Sequence, residues 1–143
     1  MRKKKVDDRV DMILGDSEDL PFDDDSIGAV TVGFGVRNFE NLEKGLGEIL
    51  RVLKPGAAAV ILEPAVPTKF PMKQLFGLYF RGILPLIGRL VSKDQSAYTY
   101  LPESVRAFPN GQEFTDICTQ VGFRKAVFKP LSLGICSLYV LEK

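Results

Sequence analysis

Apolar and polar positions alternate along this chain in a way that predicts a short set of strands and helices. Residues 2–9 read as the tail of a helix, and Val10 to Leu14 as a short strand. Gly28 to Val32 is small and β-branched, which predicts a buried strand covered on both faces, as in a parallel sheet. Asn41 is placed to cap a helix running to about Lys54, with Leu42, Leu46, Ile49, Leu50 and Leu53 on one face. Glu43 near its start and Arg51 and Lys54 near its end suit the helix dipole, and Pro55-Gly56 stops it. Gly45 and Gly47 inside this helix each cost about 1 kcal/mol relative to Ala, which signals close packing or a loosened turn.

Ala57 to Leu62 predicts a further buried strand ending in Glu63-Pro64. Asn110 and Glu113 have the spacing of a capping box, ahead of Phe114, Ile117, Cys118 and Val121 on one face and Gly122 as a stop. Two strands follow, Arg124 to Lys129 and Ile135 to Leu141, joined by a turn containing Pro130 and Gly134. Between the two halves, residues 67–101 are unusually apolar. A membrane span needs about 20 largely uninterrupted apolar residues. Lys73, Arg81, Arg89 and two prolines interrupt this stretch, so short helices packed on the domain are expected.

Composition narrows the chemistry. The 143 residues suffice for one domain, and 45% hydrophobic with 26% charged content is that of a globular protein. A net charge of +1 gives no electrostatic case for nucleic acid. The cluster Arg2 to Lys5 reads as a solvated helix end; Val6-Asp7-Asp8-Arg9 follows it, where a signal peptide would need an apolar run. Cys118 and Cys136 lack metal spacing and read as reduced core thiols. The chain has no histidine, which removes Ser-His and Cys-His nucleophile systems and most zinc sites. Asp23-Asp24-Asp25 lacks the alternating ligands, glycine and distal glutamate of a calcium loop, and reads as a solvated turn.

One combination points to a small-molecule site. Asp16 ends the first predicted strand, and Gly33-Phe34-Gly35-Val36-Arg37-Asn38 leaves the second. Loops at the carboxyl ends of parallel strands are where open α/β sheets bind ligands. The run Gly15-Asp16-Ser17-Glu18-Asp19-Leu20-Pro21-Phe22, then Phe34-Gly35-Val36-Arg37-Asn38, Glu48 to Gly56, Leu84 to Gly88 and Tyr98 to Leu101, resembles the menaquinone and ubiquinone C-methyltransferases in order over essentially the whole chain. The L-P-F turn and K-P-G step are shared by many methyltransferases of this fold. The F-G-x-R-N loop and L-P-L-I-G segment are more specific to the quinone enzymes, and overall likeness points to the menaquinone branch.

The resemblance implies a Rossmann-like class I α/β fold, truncated at its N-terminus, with a mostly parallel sheet, a C-terminal antiparallel hairpin and a helical cap over residues 67–101 of a single partial domain. It also shows what is absent. The strand, G-x-G-x-G loop, helix and acid-tipped second strand that open the family fold are missing, which makes this chain short by about 60 residues or more. Gly33-Phe34-Gly35 and Gly45-Leu46-Gly47 do not replace them. Gly28 stands where the family usually has an acid, and Ala57 replaces the second glycine after K-P-G.

By position in the family motifs, the resemblance implies S-adenosylmethionine as cofactor, with Asp16 and Ser17 at the adenine and Gly33 at a contact position that is often serine. From the residues alone, Asp16 ties a turn to its own backbone and Arg37 makes a surface salt bridge. The resemblance instead places Arg37 and Asn38 at the ring oxygen of a quinol, stabilising its ionised form. Tyr98 and Tyr100 are candidates for lining the ring pocket. A polyprenyl quinol substrate, a cytoplasmic location with peripheral membrane contact at the apolar cap, and no nucleic-acid partner complete the expectation. Loss of the strands between the first two predicted ones would orphan the first and expose an edge of the second, so a homo-oligomer through that edge is expected. A non-catalytic interaction remnant and a methyltransferase for another small acceptor stay open.

Overall fold

A computed structural model describes residues 10–83 and 103–143. Four strands form one sheet: β1 (Ile27–Gly33), β2 (Leu53–Pro64), β3 (Lys125–Leu131) and β4 (Cys136–Glu142), in the order β1-β2-β4-β3. β1 and β2 are parallel; β2–β4 and β4–β3 are antiparallel. The expected mostly parallel sheet is therefore mixed, because one crossover pair joins a C-terminal hairpin. Pro130 is tolerated inside β3 because that strand is an edge.

Helix α1 (Leu42–Val52) connects the parallel pair and α3 (Gln112–Val121) precedes the hairpin; α2 (Met72–Leu78) continues into a π turn, Tyr79–Ile83. The Asn41 side chain accepts from the Lys44 amide, as the sequence predicts. α1 ends at Val52, and Leu53 already pairs with Ile27, so β2 begins earlier than predicted and carries Pro55-Gly56 as an irregularity. Gly45 is a packing requirement: a Cβ there would stand 2.3 Å from the Phe39 ring, whereas Gly47 has open space.

The core lies between α1 and α3 and one face of the sheet. Ala59 and Ile61 of β2, Tyr139 and Leu141 of β4, and Leu46, Ile49, Phe114 and Cys118 of the helices are buried together. Phe114 meets Tyr139 edge-on with ring centroids 4.6 Å apart. The Tyr139 hydroxyl donates to Asn110 Oδ1 at 3.0 Å and accepts from the Gly111 amide at 3.0 Å. The predicted capping box is thereby displaced: Gly111 occupies the N-cap with no side-chain cap, and Asn110 is turned inward to satisfy buried hydroxyls of Tyr139 and Ser137. Gly122, at φ +123°, stops α3 as expected.

Two expectations for the first half change. Residues 10–14 form no strand; Met12 and Leu14 are almost wholly exposed, because no strand lies beside them to complete their hydrogen bonds. Nor is β1 covered on both faces. Val30 and Val32 pack on the core, but Gly28, Ala29, Thr31 and Gly33 are exposed, since no described element covers the opposite face or the outer edge.

Residues 16–25 are instead strapped to α1. Arg51 donates to the Leu20 and Phe22 carbonyls, to Asp24 and to Glu48, and Glu48 Oε2 accepts from the Leu20 amide at 2.8 Å. The Arg51 guanidinium, ahead of the smaller Leu20 amide contribution, holds the Glu48 carboxyl at about 2, below its ordinary 4.5. A depressed folded value means that the strap's contribution is complete above pH 4.5 and is lost as pH falls toward about 2. The Leu20 amide resonance should therefore move with an apparent midpoint near the lower value, and Glu48→Gln should abolish that titration.

Candidate active site

The carboxyl ends of β1 and β2 lie side by side, and the chain leaving β1 turns sharply. Phe34 sits at φ +57°, a left-handed conformation costing a non-glycine residue about 1–2 kcal/mol. Its amide donates to the Leu62 carbonyl at 2.8 Å, the last rung of the parallel pair. A single 3-10 turn, Val36–Asn38, follows, with Val36 fully buried.

Glu63 of β2 organises this turn. Its residue is 0% exposed, because the strand alternation that buries Ala59 and Ile61 also turns Glu63 inward. Oε1 accepts from the Val36 amide at 2.7 Å and from the Arg37 amide at 3.4 Å. Oε2 pairs with Arg37 Nη1 at 3.0 Å, and the same nitrogen donates to the Phe34 carbonyl. Arg37 is thus not a surface salt bridge: its side chain is 12% exposed, and Nε is enclosed without a hydrogen-bond partner among the described residues. Sequence analysis assigned Glu63 no role. The available signal was an acid in an inward register position of an otherwise apolar strand, where a carboxylate needs a partner.

Beside this loop opens an apolar cavity of about 440 Å³, walled by Phe34, Pro64, Met72, Phe76, Tyr79 and Cys136 among others. Its size falls within the range of small-molecule sites, about 300–1,000 Å³. Burial, then the nearby Glu63 carboxylate, pushes the Cys136 thiol up. Cys118, deep in the core, is pushed up to about 12 by burial. Both are free thiols, as expected. A second, smaller cavity of about 330 Å³ meets Arg37 from the side of Phe39, Ser104 and Phe108. Arg37 thus lines this smaller cavity while engaged with Glu63, and the larger apolar cavity meets the same loop at Phe34.

The other predicted residues are more scattered. Asp16 Oδ1 accepts from the Glu18 amide at 2.9 Å in an exposed turn, and Asp16 bridges to Asp19. Glu18 Oε1 in turn accepts from the Asn41 amide at 2.7 Å, tethering this turn to the start of α1, three residues beyond Asn38. Asn38 is exposed, and its amide donates to the Gly35 carbonyl at 3.0 Å. Gly33 has open space where a Cβ would stand, so its surface is accessible to a ligand. Tyr98 and Tyr100 lie outside the described residues. No group of metal-binding side chains occurs among the described residues.

Comparison with known proteins is consistent with this arrangement. The chain is 44% identical to a demethylmenaquinone methyltransferase of Bacteroides fragilis over all 143 residues, which cover 58% of that protein. It is 43% identical over 135 residues to the ubiquinone/menaquinone biosynthesis C-methyltransferase UbiE of Geobacter sulfurreducens, covering 94% of this chain and 52% of the relative. The chain thus spans somewhat over half the length of these relatives. A SAM-dependent methyltransferase structure from Aquifex aeolicus superposes with a TM-score of 0.62 at 17% identity, covering 96% of this chain and 59% of the other. That likeness places the described sheet in the Rossmann-like class I methyltransferase fold. The profile of the ubiE/COQ5 methyltransferase family matches residues 1–143, and the chain belongs to that family.

Proposed function

We propose that this chain carries the acceptor half of a S-adenosylmethionine-dependent C-methyltransferase acting on a demethylmenaquinol-type polyprenyl quinol. The observation that supports it most is the apolar cavity seated against the F-G-x-R-N loop at the strand ends. An amphiphilic ring needs apolar walls for its body and fixed donors for its oxygen; Phe34 walls the cavity, and Arg37 and Asn38 follow it in the same loop.

The cofactor, when bound, supplies an electrophilic methyl group. The residues present fit one wall of its site: the exposed Asp16 carboxylate can accept from an adenine amino group, Ser17 lies beside it, and Gly33 leaves its backbone open to contact. Arg37 and Asn38 stabilise the ring oxygen in its ionised form, whose phenolate character raises electron density at the ring carbon to be methylated. Arg37 does so with Nη2, because Nη1 is engaged by Glu63 and Phe34 and Nε is enclosed. The cavity excludes water from the reacting carbon and aligns it, which supplies most of the rate in such a transfer. Met72, Phe76 and Tyr79, in the described part of the apolar 67–101 segment, wall the ring pocket.

Calorimetric titration with S-adenosylmethionine should show saturable binding, weakened about tenfold or more by Asp16→Ala, the loss of one charged hydrogen bond. A short-chain demethylnaphthoquinol should slow alkylation of Cys136, the less buried thiol. A folded sample that binds neither ligand overturns this reading.

We also propose that the free edge of β1 pairs with a second copy. The support is its exposed backbone at Gly28, Ala29 and Thr31, unpaired on the outer side among the described residues. Light scattering at micromolar concentration should give a dimer, dissociated by a proline at Ala29; a monodisperse monomer overturns it.

A further inference from the structure

The loop leaving β1 puts its backbone strain on an unexpected residue. Phe34 stands between two glycines, yet it is the phenylalanine that holds φ +57°; Gly35 is at −114° and Gly33 ends the extended strand. Gly35 is explained by space, because a Cβ there would stand 3.1 Å from Val32 Cγ1. Neither glycine uses its conformational freedom, and a residue with a large side chain takes the left-handed position instead. The ring gains little burial in return, since Phe34 remains 45% exposed.

The surroundings nonetheless hold Phe34 in place from three sides. Its amide donates to the Leu62 carbonyl at 2.8 Å, its carbonyl accepts from Arg37 Nη1, and Glu63 fixes the following turn through the Val36 amide at 2.7 Å. A strained residue over-determined in this way marks a place where one particular side chain is required.

The cavity shows what the ring is for. Of the lining residues at the strand ends and their turns, Phe34, Pro64, Ile135 and Cys136, only Phe34 is aromatic; α2 and its π turn bring Phe76 and Tyr79. A flat ligand therefore meets aromatic residues from the sheet side and from the helix side, which suits offset or edge-on ring contacts. A Cβ at Gly33 would meet only open space, so that neighbour does not crowd the approach.

We infer that Phe34 is a specificity-determining residue that stacks on the fused second ring of a bicyclic quinol and selects it over a monocyclic one. The oxygen-bearing ring is left to Arg37 and Asn38, three and four residues on. A monocyclic quinol engaging those two has no second ring to set against Phe34. This role rests on the proposed quinol acceptor.

Protection of Cys136 from iodoacetamide under anaerobic conditions tests it, with a short-chain demethylnaphthoquinol and the benzoquinol of the same side chain as probes. The half-protecting concentrations of the two are compared as a ratio within each protein, which cancels changes in the thiol's own access. The ratio should favour the naphthoquinol in the unmodified chain, fall about threefold to tenfold in Phe34→Leu, and be kept in Phe34→Tyr. A purely structural role for Phe34 would weaken both quinols alike and leave the ratio unchanged. Strain is read separately by melting: Phe34→Gly should melt above Phe34→Ala, the reverse of the order at an ordinary backbone position. A ratio unchanged in Phe34→Leu, a ratio lost in Phe34→Tyr, or an alanine variant melting at or above the glycine variant overturns this inference alone. Protection of the unmodified chain by neither quinol overturns the proposed acceptor itself.

Discussion

A carboxylate removed from water holds the working end of this molecule together. Taking Glu63 and Arg37 out of solvent costs several kcal/mol for each ion, and a single contact would not offset that. Glu63 meets the cost with three donors, two of them backbone amides of the turn it shapes. Arg37 returns the favour by binding the carbonyl of left-handed Phe34. The pair thereby ties the end of β2 to the turn leaving β1, and so fixes one wall of the apolar cavity.

The rest of the site depends on this clasp through short covalent and hydrogen-bonded links. Asn38 closes the turn; Asn41, three residues on, caps α1 and donates its amide to Glu18 Oε1. Glu48 and Arg51 on the same helix strap the segment that follows Asp16. Two loops distant in sequence are thus referred to one helix, and that helix is packed by Gly45 against Phe39 and by Leu46 and Ile49 against the sheet. Electrostatics positions the loops, and apolar burial fixes the frame to which they are referred.

Much of this was legible in the sequence because it is local. The spacing of Leu42, Leu46 and Ile49, the Asn41 cap and the Gly122 stop all encode short-range geometry, and each is found. What failed depended on partners. Val10 to Leu14 has the composition of a strand but no neighbour to bond, and Gly28 to Val32 has that of a buried strand but an uncovered face. Asn110 has the spacing of a cap, yet the buried Tyr139 hydroxyl takes its oxygen. At the site, motif position located the loop with Arg37 and Asn38, but the buried Glu63 that organises it escaped notice. Its partners lie 26 and 27 residues away, beyond the reach of local pattern.

The claim that one buried ion pair organises the site is tested most directly by a double-mutant cycle on unfolding free energy, using Arg37→Met, Glu63→Gln and the double variant. Each single change strands a buried polar partner and should cost about 3 kcal/mol or more, with the double variant costing much less than the sum. Costs that add to within about 0.5 kcal/mol would mean the two residues act independently, and would contradict the account.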